Sequence, residues 1–361
     1  MRVLLFGTYD AATHPRISTL AEGLRAHGAE VAECNAPLGL DTAARVRMLA
    51  SPWRAVALLG RLVTRWATLV VAARRAATPD VVLVGYLGHF DVHLARLLFP
   101  RVPVVLDHLI GAADTARDRR LAGGPRTIAL RLIDAAALRA ADIIVVDTDE
   151  HRDRLTARQR SRSVVVPVGA PGTWFRTPTP VQDGPLRVVF FGLYTPLQGT
   201  PVIGAALGAI ADAPIDITMI GTGQDEADTK AAAHENPRVR WLDWVAADEL
   251  PENVGSADVC LGIFGTTGKA LRVVPNKVFQ GAAAGCAIIT SDTEPQRRTL
   301  GTAALLVPPG DPDALAAALR TLAGDRAELA RLRDEASRIA RERFTARQIA
   351  APLVSRLKGS R

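Results

Sequence analysis

Short apolar runs alternate with helical stretches along most of this chain, and this alternation restricts the available folds more than any other feature. In the first half these runs are four or five residues long and lie at 2–6, 30–34, 81–84, 102–106, 143–146 and 164–167. Residues 16–27 and 127–140 are predicted to be helices between them. Strands that alternate with helices imply a parallel sheet with helices on both faces.

The alternation is interrupted once and then resumes. Residues 171–185 are rich in Gly, Pro and Thr, a composition typical of a linker. Apolar runs return at 187–191, 215–220, 239–242, 259–263, 287–290 and 304–307, and helices are predicted at 312–323, 327–343 and 346–357. A chain of 361 residues is too long for one ordinary core, so two domains are expected.

We therefore predict an α/β protein of two doubly wound, Rossmann-like domains that face each other across a cleft. The first domain is predicted to span 1–170 and the second 186–344, joined by the linker 171–185. The C-terminal helix, within 345–361, is expected to pack back on the first domain.

The cysteines indicate the cellular compartment of this protein, and its charge distribution indicates its binding partners. Cys34, Cys260 and Cys286 lie in apolar surroundings without metal-ligand spacing, as core thiols in a reducing cytoplasm do. Residues 1–180 contain 24 arginines and 16 acidic residues, whereas the remainder has 20 basic and 21 acidic residues. An anionic membrane surface or a lipid-phosphate acceptor would explain the basic first half. Nucleic acid is disfavoured because aromatic residues are not interleaved with these arginines.

One long apolar helix is predicted in the first domain, over 53–73. It is interrupted by Arg54, Arg61 and Arg65, so no run of the length needed to span a bilayer is expected. The apolar start of the chain gives way at once to Gly7-Thr-Tyr-Asp10, so no signal peptide is predicted. The helix fits two structures: a domain helix packed on the sheet, or a helix in the membrane interface on the inner face.

The segment 262–292 carries the strongest functional signal. A buried strand runs out into glycines and threonines, and Lys269, Arg272 and Lys277 follow before a small-residue helix. The chain has only four lysines, and two of them lie in this interval. Positive charge beside a helix start, at the carboxyl ends of parallel strands, favours an anionic phosphate ligand. Asn276 is expected to cap this helix. A solvated basic loop would give the same pattern.

Four stretches resemble the family-4 (group 1) glycosyltransferases of GT-B architecture, over essentially the whole chain. They are Phe6-Gly-Thr-Tyr-Asp with His14-Pro-Arg16, Phe190-Phe-Gly-Leu-Tyr-Thr-Pro-Leu-Gln-Gly199, Met219-Ile-Gly-Thr-Gly-Gln224, and Pro275-Asn-Lys-Val-Phe-Gln280 with Ala284-Gly-Cys-Ala-Ile-Ile-Thr-Ser-Asp292. The resemblance implies transfer of a sugar from a nucleotide-diphosphate sugar with retention and without a metal or other cofactor. It also implies that the second domain holds the donor and the first domain the acceptor, which could be a glycan, a lipid-linked sugar or a small molecule.

The chain departs from the common pattern of that family. Many members place an arginine and a lysine on the diphosphate, where this chain has Leu193 and Gln198. Many members also carry two glutamates, where this chain has Arg272 and Gln280. The resemblance is therefore to a divergent branch, with altered donor chemistry or lost activity.

The resemblance and the residue chemistry together define a candidate site. The catalytic candidates are His108, Lys269, Arg272 and Lys277. The donor-binding candidates are Gly192, Tyr194, Thr195, Gln198, Gly199, Gly221, Gly223, Trp244, Phe264, Asn276 and Gln280. The candidates on the acceptor side are Tyr9, His14, Arg16 and His89.

Four alternatives stay open from the sequence alone. The glycines could form tight turns with no ligand, and Asp147-Thr-Asp149 could be a metal-binding pair of carboxylates or a helix cap. The unusual residues at the donor positions would also suit a catalytically silent sugar-nucleotide-binding subunit. A sugar-nucleotide epimerase shares the two-domain architecture and would release an isomerised sugar instead of a nucleoside diphosphate.

Overall fold

The computed structural model describes residues 1–10, 15–39, 52–109, 111–120, 123–178, 180 and 182–359, without the side chains of 52–55. It divides the chain into two compact units. The first unit is Met1–Pro167 with Ala346–Arg361, and the second is Val168–Thr345. Residues 171–185, which composition predicted as a linker, belong to the second unit. The reason is visible at Trp174, which is buried and stacks on Phe191 at 5.5 Å between ring centroids.

The first unit contains one six-stranded parallel sheet in the order β2-β1-β3-β4-β5-β6. Its strands are β1 (Arg2–Gly7), β2 (Glu30–Asn35), β3 (Val81–Val84), β4 (Val104–Asp107), β5 (Ile143–Val146) and β6 (Ser163–Val165). Its helices are α1 (Arg16–Ala26), α2 (Pro52–Arg75), α3 (Asp91–Leu98), α4 (Ala112–Asp118), α5 (Gly124–Ala140), α6 (Asp149–Asp153) and α7 (Ala157–Arg160). Strands that are apolar on both faces predict this doubly covered parallel sheet, and that prediction is confirmed.

Alternate residues of β1 point to opposite sides of the sheet. Leu4 and Phe6 join the core beneath α2, α3 and α5, whereas Val3 and Leu5 join the core beneath α1. The C-terminal helix α15 (Ala346–Gly359) packs on α1 in that second core. A Cβ atom on Gly23 would lie 2.1 Å from the carbonyl oxygen of Ala346, so only glycine allows this approach of the two helices.

The second unit contains a six-stranded parallel sheet in the order β12-β11-β10-β7-β8-β9. Its strands are β7 (Leu186–Phe191), β8 (Ile215–Ile220), β9 (Val239–Leu242), β10 (Val259–Leu261), β11 (Ala287–Ser291) and β12 (Ala304–Val307). Its helices are α8 (Thr200–Ala209), α9 (Glu226–Ala232), α10 (Leu250–Gly255), α11 (Asn276–Ala283), α12 (Glu294–Leu300), α13 (Pro312–Gly324) and α14 (Arg326–Ile339). A π-helical turn at Ala340–Phe344 follows α14, where the sequence predicted one continuous helix.

Helix α2 is longer than predicted and needs a correction. By length and composition alone, its Val56–Arg75 stretch would suffice to cross a membrane. The helix is nevertheless held in the first unit by the buried side chains of Leu62 and Leu69. The indole Nε1 of Trp66 also donates to Oδ1 of buried Asp91 at 2.8 Å. These contacts make α2 a domain helix that leaves one side exposed.

Candidate functional site

The carboxyl ends of β7 and β10 meet in the middle of the second sheet. From β7 the chain continues to β8 and β9 on one side, and β10 begins the other side. This reversal is the switch point at which open α/β sheets bind ligands. The loop 192–199 follows β7, and the loop 262–275 follows β10. Most of the predicted donor-binding residues belong to these two loops and to the start of α11.

Glycines let the loop after β7 touch its neighbours through the backbone. Gly199 has φ of +65°, and a Cβ atom there would lie 2.4 Å from the backbone nitrogen of Gly265. A Cβ atom on Gly221 would lie 2.0 Å from the carbonyl oxygen of Gly192, and one on Gly223 would lie 2.3 Å from that of Tyr194. The glycines at 199, 221 and 223 are therefore required by packing between loops, whatever else they bind.

Lys277 is the central charged residue of this edge. Its side chain is only 4% exposed, and its Nζ donates to Oε1 of Gln198 at 2.6 Å. The Nζ also lies 3.5 Å from the centroid of the Phe190 ring. A Cβ atom on Gly192 would lie 3.2 Å from the same Nζ, so this glycine leaves the amine its space. Within the described residues no carboxylate forms an ion pair with Lys277.

Burial lowers the pKa of Lys277 well below its ordinary value. The charged form loses its hydration, and the neutral amide of Gln198 replaces only part of it. A phosphate placed beside the Nζ would supply the missing negative charge and would favour the protonated form. An anion beside Nζ would therefore offset the cost of holding this buried amine in its charged form.

Lys269 and Arg272 lie on the loop after β10, where Lys269 immediately precedes a short 3₁₀ turn at Ala270–Arg272. The turn is held by Ala270, whose backbone nitrogen donates to Oγ1 of Thr267 at 3.2 Å and whose methyl group is buried. A Cβ atom on Gly268 would lie 3.1 Å from Nη1 of Arg272. Lys269 and Arg272 are each half-buried. The loop that leads from β10 to the start of α11 thus carries two more cations.

Two predicted donor residues lie in the core, and one predicted helix cap is not formed. The side chains of Tyr194 and Phe264 are fully buried in the hydrophobic core of the second unit, so they support the loops from beneath. Burial also raises the pKa of Tyr194. Asn276 does not cap α11, because the helix begins at Asn276 itself and the residue before it, Pro275, occupies the cap position.

The other predicted donor residues differ in exposure. Thr195, in the loop after β7, and Gln280, within α11, are both buried. Trp244 is 77% exposed beyond the end of β9. Trp241, in β9, packs against the core, and the Nζ of Lys230 lies 5.6 Å from its ring centroid. Only Trp244 of the two presents an open aromatic face.

Sequence reasoning missed a buried polar network at the end of β11. Oγ1 of Thr290 donates to Oε1 of Gln296 at 2.5 Å, and Nε2 of Gln296 donates to Oγ of Ser291 at 2.9 Å. The backbone nitrogen of Ile263 donates to Oγ1 of Thr290 at 3.3 Å, which ties β11 to the loop after β10. Thr290-Ser291 at the end of an apolar strand was the available signal. Phe190 was also missed, because a phenylalanine in a buried strand signals only core.

In the first unit, His108 and His89 form a small cluster at the ends of β4 and β3. Their ring centroids are 5.4 Å apart, and Nε2 of His89 lies 3.0 Å from Oδ1 of Asp134, outside hydrogen-bond geometry. Asp134 accepts hydrogen bonds from the backbone nitrogens of Ala112 and Ala113 at 2.8 and 3.1 Å.

The Nδ1 of His108 is buried and has no hydrogen-bond partner within the described residues. Burial, reinforced by neighbouring His89, lowers the pKa of His108 to about 4. The ring is therefore neutral near neutral pH and can either donate or accept a hydrogen bond.

The side chains of Tyr9 and Arg16, which were predicted on the acceptor side, are both occupied by partners inside the first unit. Tyr9 is buried, and its hydroxyl donates to Oε1 of Glu33 at 2.7 Å. Arg16 is buried, and its Nε lies 3.0 and 2.9 Å from the two carboxylate oxygens of Asp107. The remaining guanidinium nitrogens donate to the carbonyl oxygens of Val166 and Pro167, each at 2.9 Å. His14 lies outside the described residues.

The Asp147-Thr-Asp149 motif forms the start of α6. Oγ1 of Thr148 accepts from the backbone nitrogen of His151, and Oδ1 of Asp147 lies 2.5 Å from Nδ1 of the same histidine. Asp149 pairs with Arg152 at 2.9 Å. The motif thus serves as the helix cap that was one of its two interpretations. Over the described ranges, no group of three His, Cys, Asp or Glu side chains is arranged to hold a metal ion.

Comparison with known proteins finds a family match that covers most of the second unit. Residues 185–325, most of that unit, match a family model described as Glycosyl transferases group 1. No curated protein sequence matches this chain.

Solved structures resemble the whole chain. A sucrose-phosphate synthase from Thermosynechococcus elongatus has 17% identity and a TM-score of 0.71, covering 100% of this chain and 99% of that one. The Anabaena protein Alr3699/HepE in complex with UDP-glucose has 15% identity and a TM-score of 0.69, covering 99% and 100%. An E. coli structure described as trehalose-6-phosphate bound with UDP-2-fluoro glucose has 15% identity and a TM-score of 0.69, covering 99% of each chain. Together with the two six-stranded parallel sheets, these likenesses show the GT-B fold.

Proposed function

We propose that this protein is a glycosyltransferase that takes its sugar from a nucleoside diphosphate sugar held at the carboxyl edge of the second sheet. The observation that carries the proposal is the buried amine of Lys277, bonded to Gln198 at the switch point between β7 and β10. A buried cation with a neutral partner there suits a ligand that brings its own negative charge.

The donor class proposed is a UDP-sugar. The UDP-glucose bound by the structurally similar Anabaena protein supports it, and the match of residues 185–325 to the group 1 glycosyltransferases supports sugar transfer. The proposal includes retention at the anomeric carbon and the family-4 type, which the sequence resemblance implies. It also includes a reaction without a required metal.

The proposed chemistry uses the positive charges to stabilise the departing diphosphate. As the glycosidic bond breaks, negative charge grows on the phosphate oxygens, and fixed cations lower the barrier only if they are already in place. Lys277 is placed by Gln198 and Phe190, and Arg272 is placed by the turn after β10. We propose that Lys269 and the backbone nitrogens at the start of α11 add further positive charge beside the diphosphate.

On the first unit, His108 is the proposed polar contact for a sugar hydroxyl. Its ring is neutral, its Nδ1 has no hydrogen-bond partner among the residues that the structure describes, and its neighbour His89 lies against Asp134. The proposed acceptor is a glycan, a lipid-linked sugar or a small molecule, in a cytoplasmic setting that the three free, buried cysteines support. Attachment to the inner membrane face belongs to the same proposal.

Release of free UDP during incubation with UDP-sugars tests the function. The wild-type protein should release UDP slowly by hydrolysis and faster with acceptor, and Arg272→Ala and Lys277→Ala should each abolish release. Unchanged release in both variants would remove these residues from the reaction. Binding of UDP without any turnover would indicate a silent binding subunit, and an isomerised sugar nucleotide would indicate an epimerase. Proton NMR of the product's anomeric signal tests retention.

A further inference from the structure

Three helices lie side by side on one face of the first sheet. Helices α2, α3 and α5 all send side chains into the same core cluster, among them Leu69, Val92 and Ala137. Helix α3 packs against α2 on one side and α5 on the other. The outward sides of these helices form one continuous surface, here named the three-helix surface.

The three-helix surface carries every exposed large apolar side chain in the described part of the first unit. These side chains are Val56, Leu59, Val63 and Val71 on α2, Leu97 on α3, and Ile128 and Leu132 on α5. Val56, Leu59 and Val63 follow helical spacing and form a stripe, as Ile128 and Leu132 do. Leu97 is 76% exposed and Leu132 is 63% exposed, so both side chains project from the surface. Such clustering marks an interaction surface, since scattered single residues would be ordinary.

The charge on this surface is positive and unbalanced. Arg61, Arg65, Arg74 and Arg75 are exposed on α2, and Arg131 and Arg139 are exposed on α5. Helix α2 contains no acidic residue. The single acid of α5, Asp134, is turned inward onto Ala112 and Ala113. On α3, Arg96 is offset by Asp142 at 2.5 Å.

We propose that the three-helix surface docks on an anionic lipid bilayer, with its apolar side chains in the headgroup region and its arginines on lipid phosphates. Lipid offers both an apolar layer and a negative layer, which match the two kinds of side chain found here. A second copy of this chain is disfavoured, because it would set these arginine rows against each other. Helix α2 lies on the bilayer rather than crossing it, because Trp66 and Leu69 bind it to the unit.

This inference names the surface and the lipid charge behind the membrane attachment proposed above, and it does not depend on sugar transfer. Its test is co-sedimentation of the full-length protein with phosphatidylcholine vesicles, with and without about a third phosphatidylglycerol. Binding is expected only to the anionic vesicles and should weaken as salt is raised. Equal binding to both vesicle types, or binding indifferent to salt, would overturn the proposal.

Charge-reversed variants locate the surface. Arg61→Glu with Arg65→Glu is expected to lower the protein's partition coefficient onto anionic vesicles at least about tenfold. The reason is that each arginine near the lipid surface raises this coefficient about fivefold. The matched control is Arg25→Glu with Arg347→Glu, which reverses two exposed arginines on α1 and α15, the helices that pack on the opposite face of the first sheet. The control should lose markedly less binding than the test pair. Equal losses in both pairs would reduce the effect to net charge and would refute docking through this surface.

Variants of the exposed apolar side chains distinguish insertion of these side chains into the bilayer from electrostatic attraction of the protein to its surface. Val63→Ser with Leu132→Ser should lower the partition coefficient severalfold without changing charge, and both positions are exposed, so the fold should persist. UDP binding by thermal shift, measured in every variant, reports folding and the donor site independently of lipid binding. A dimer in sedimentation velocity that Val63→Ser dissolves, with no vesicle binding, would assign the surface to a second copy and overturn the bilayer.

Discussion

Replacing Lys277 by methionine separates a binding role from a structural role. Methionine keeps an unbranched chain over the Phe190 ring but removes the amine that lies 2.6 Å from Gln198. A hydrogen bond between an ammonium and a phosphate contributes about 1.5–3 kcal/mol. The Kd for UDP should therefore rise about 10- to 150-fold.

The same substitution should leave the unliganded protein as stable as before, or more stable by about 1 kcal/mol, because burial already disfavours the charged lysine.

The number of protons taken up on binding UDP gives a second measurement. The pKa of Lys277 is lowered in the free protein, and a bound diphosphate is expected to raise it. Wild-type protein should therefore take up a proton on binding UDP when the pH exceeds the free-state pKa, and Lys277→Met should not.

Exchanging the side chains of positions 198 and 277 tests whether UDP binding needs a cation at this place. Because Nζ of Lys277 and Oε1 of Gln198 are 2.6 Å apart, Gln198→Lys with Lys277→Gln moves the cation only a short distance. Isothermal titration with UDP should show the swap recovering most of the affinity that Lys277→Gln alone loses. Lys358→Met, an exposed lysine of α15, is the control. If Lys277→Met binds UDP as tightly as the wild type, the phosphate-site assignment is refuted.

Three further predictions follow from the structure. Gly199→Ala should lower the free energy of unfolding by about 2–4 kcal/mol by forcing Gly265 away, whereas Gly28→Ala, with a positive φ but open space, should cost about 1 kcal/mol in chemical denaturation. Arg16→Ala should cost about 3–5 kcal/mol in the same assay without changing an acceptor KM, and a pure KM effect would contradict its structural role. His108 has a folded-state pKa of about 4, below its unfolded value, so the unfolded chain binds the extra proton and stability falls as pH drops from about 6.5 to 4. His108→Gln should flatten that part of a melting-temperature-against-pH curve, and an unaltered slope would exclude His108 as its source.

The strands could be predicted closely because parallel strands are buried on both faces. Each is a run of apolar residues with no polar alternation, and 81–84, 143–146 and 215–220 agree with the structure to the residue. The end of the run 259–263 was missed, because Gly262 and Ile263 stay apolar after strand pairing stops at Leu261. Buried loop residues and buried strand residues have the same composition.

The site was harder to predict because side-chain direction depends on the tertiary structure. Tyr194 and Arg16 carry groups that suit ligand binding, yet one packs in a core and the other is satisfied by Asp107. Lys277 was identified by charge and position, but its burial was not anticipated. The apolar and small residues that follow it in α11 were the available signal, since a lysine within such a helix is carried inward.

The packing of α15 on α1 has a consequence for how the protein is made. The side of α1 that carries Ile17, Leu20 and Leu24 is completed by Ile349 and Leu353, more than three hundred positions further along the chain. During synthesis the ribosome must therefore finish the whole of Val168–Thr345 before the first unit can close its core. The second unit is continuous in sequence and can fold before the core of the first unit is complete. A nascent chain interrupted before residue 346 would expose an apolar face to chaperones and proteases.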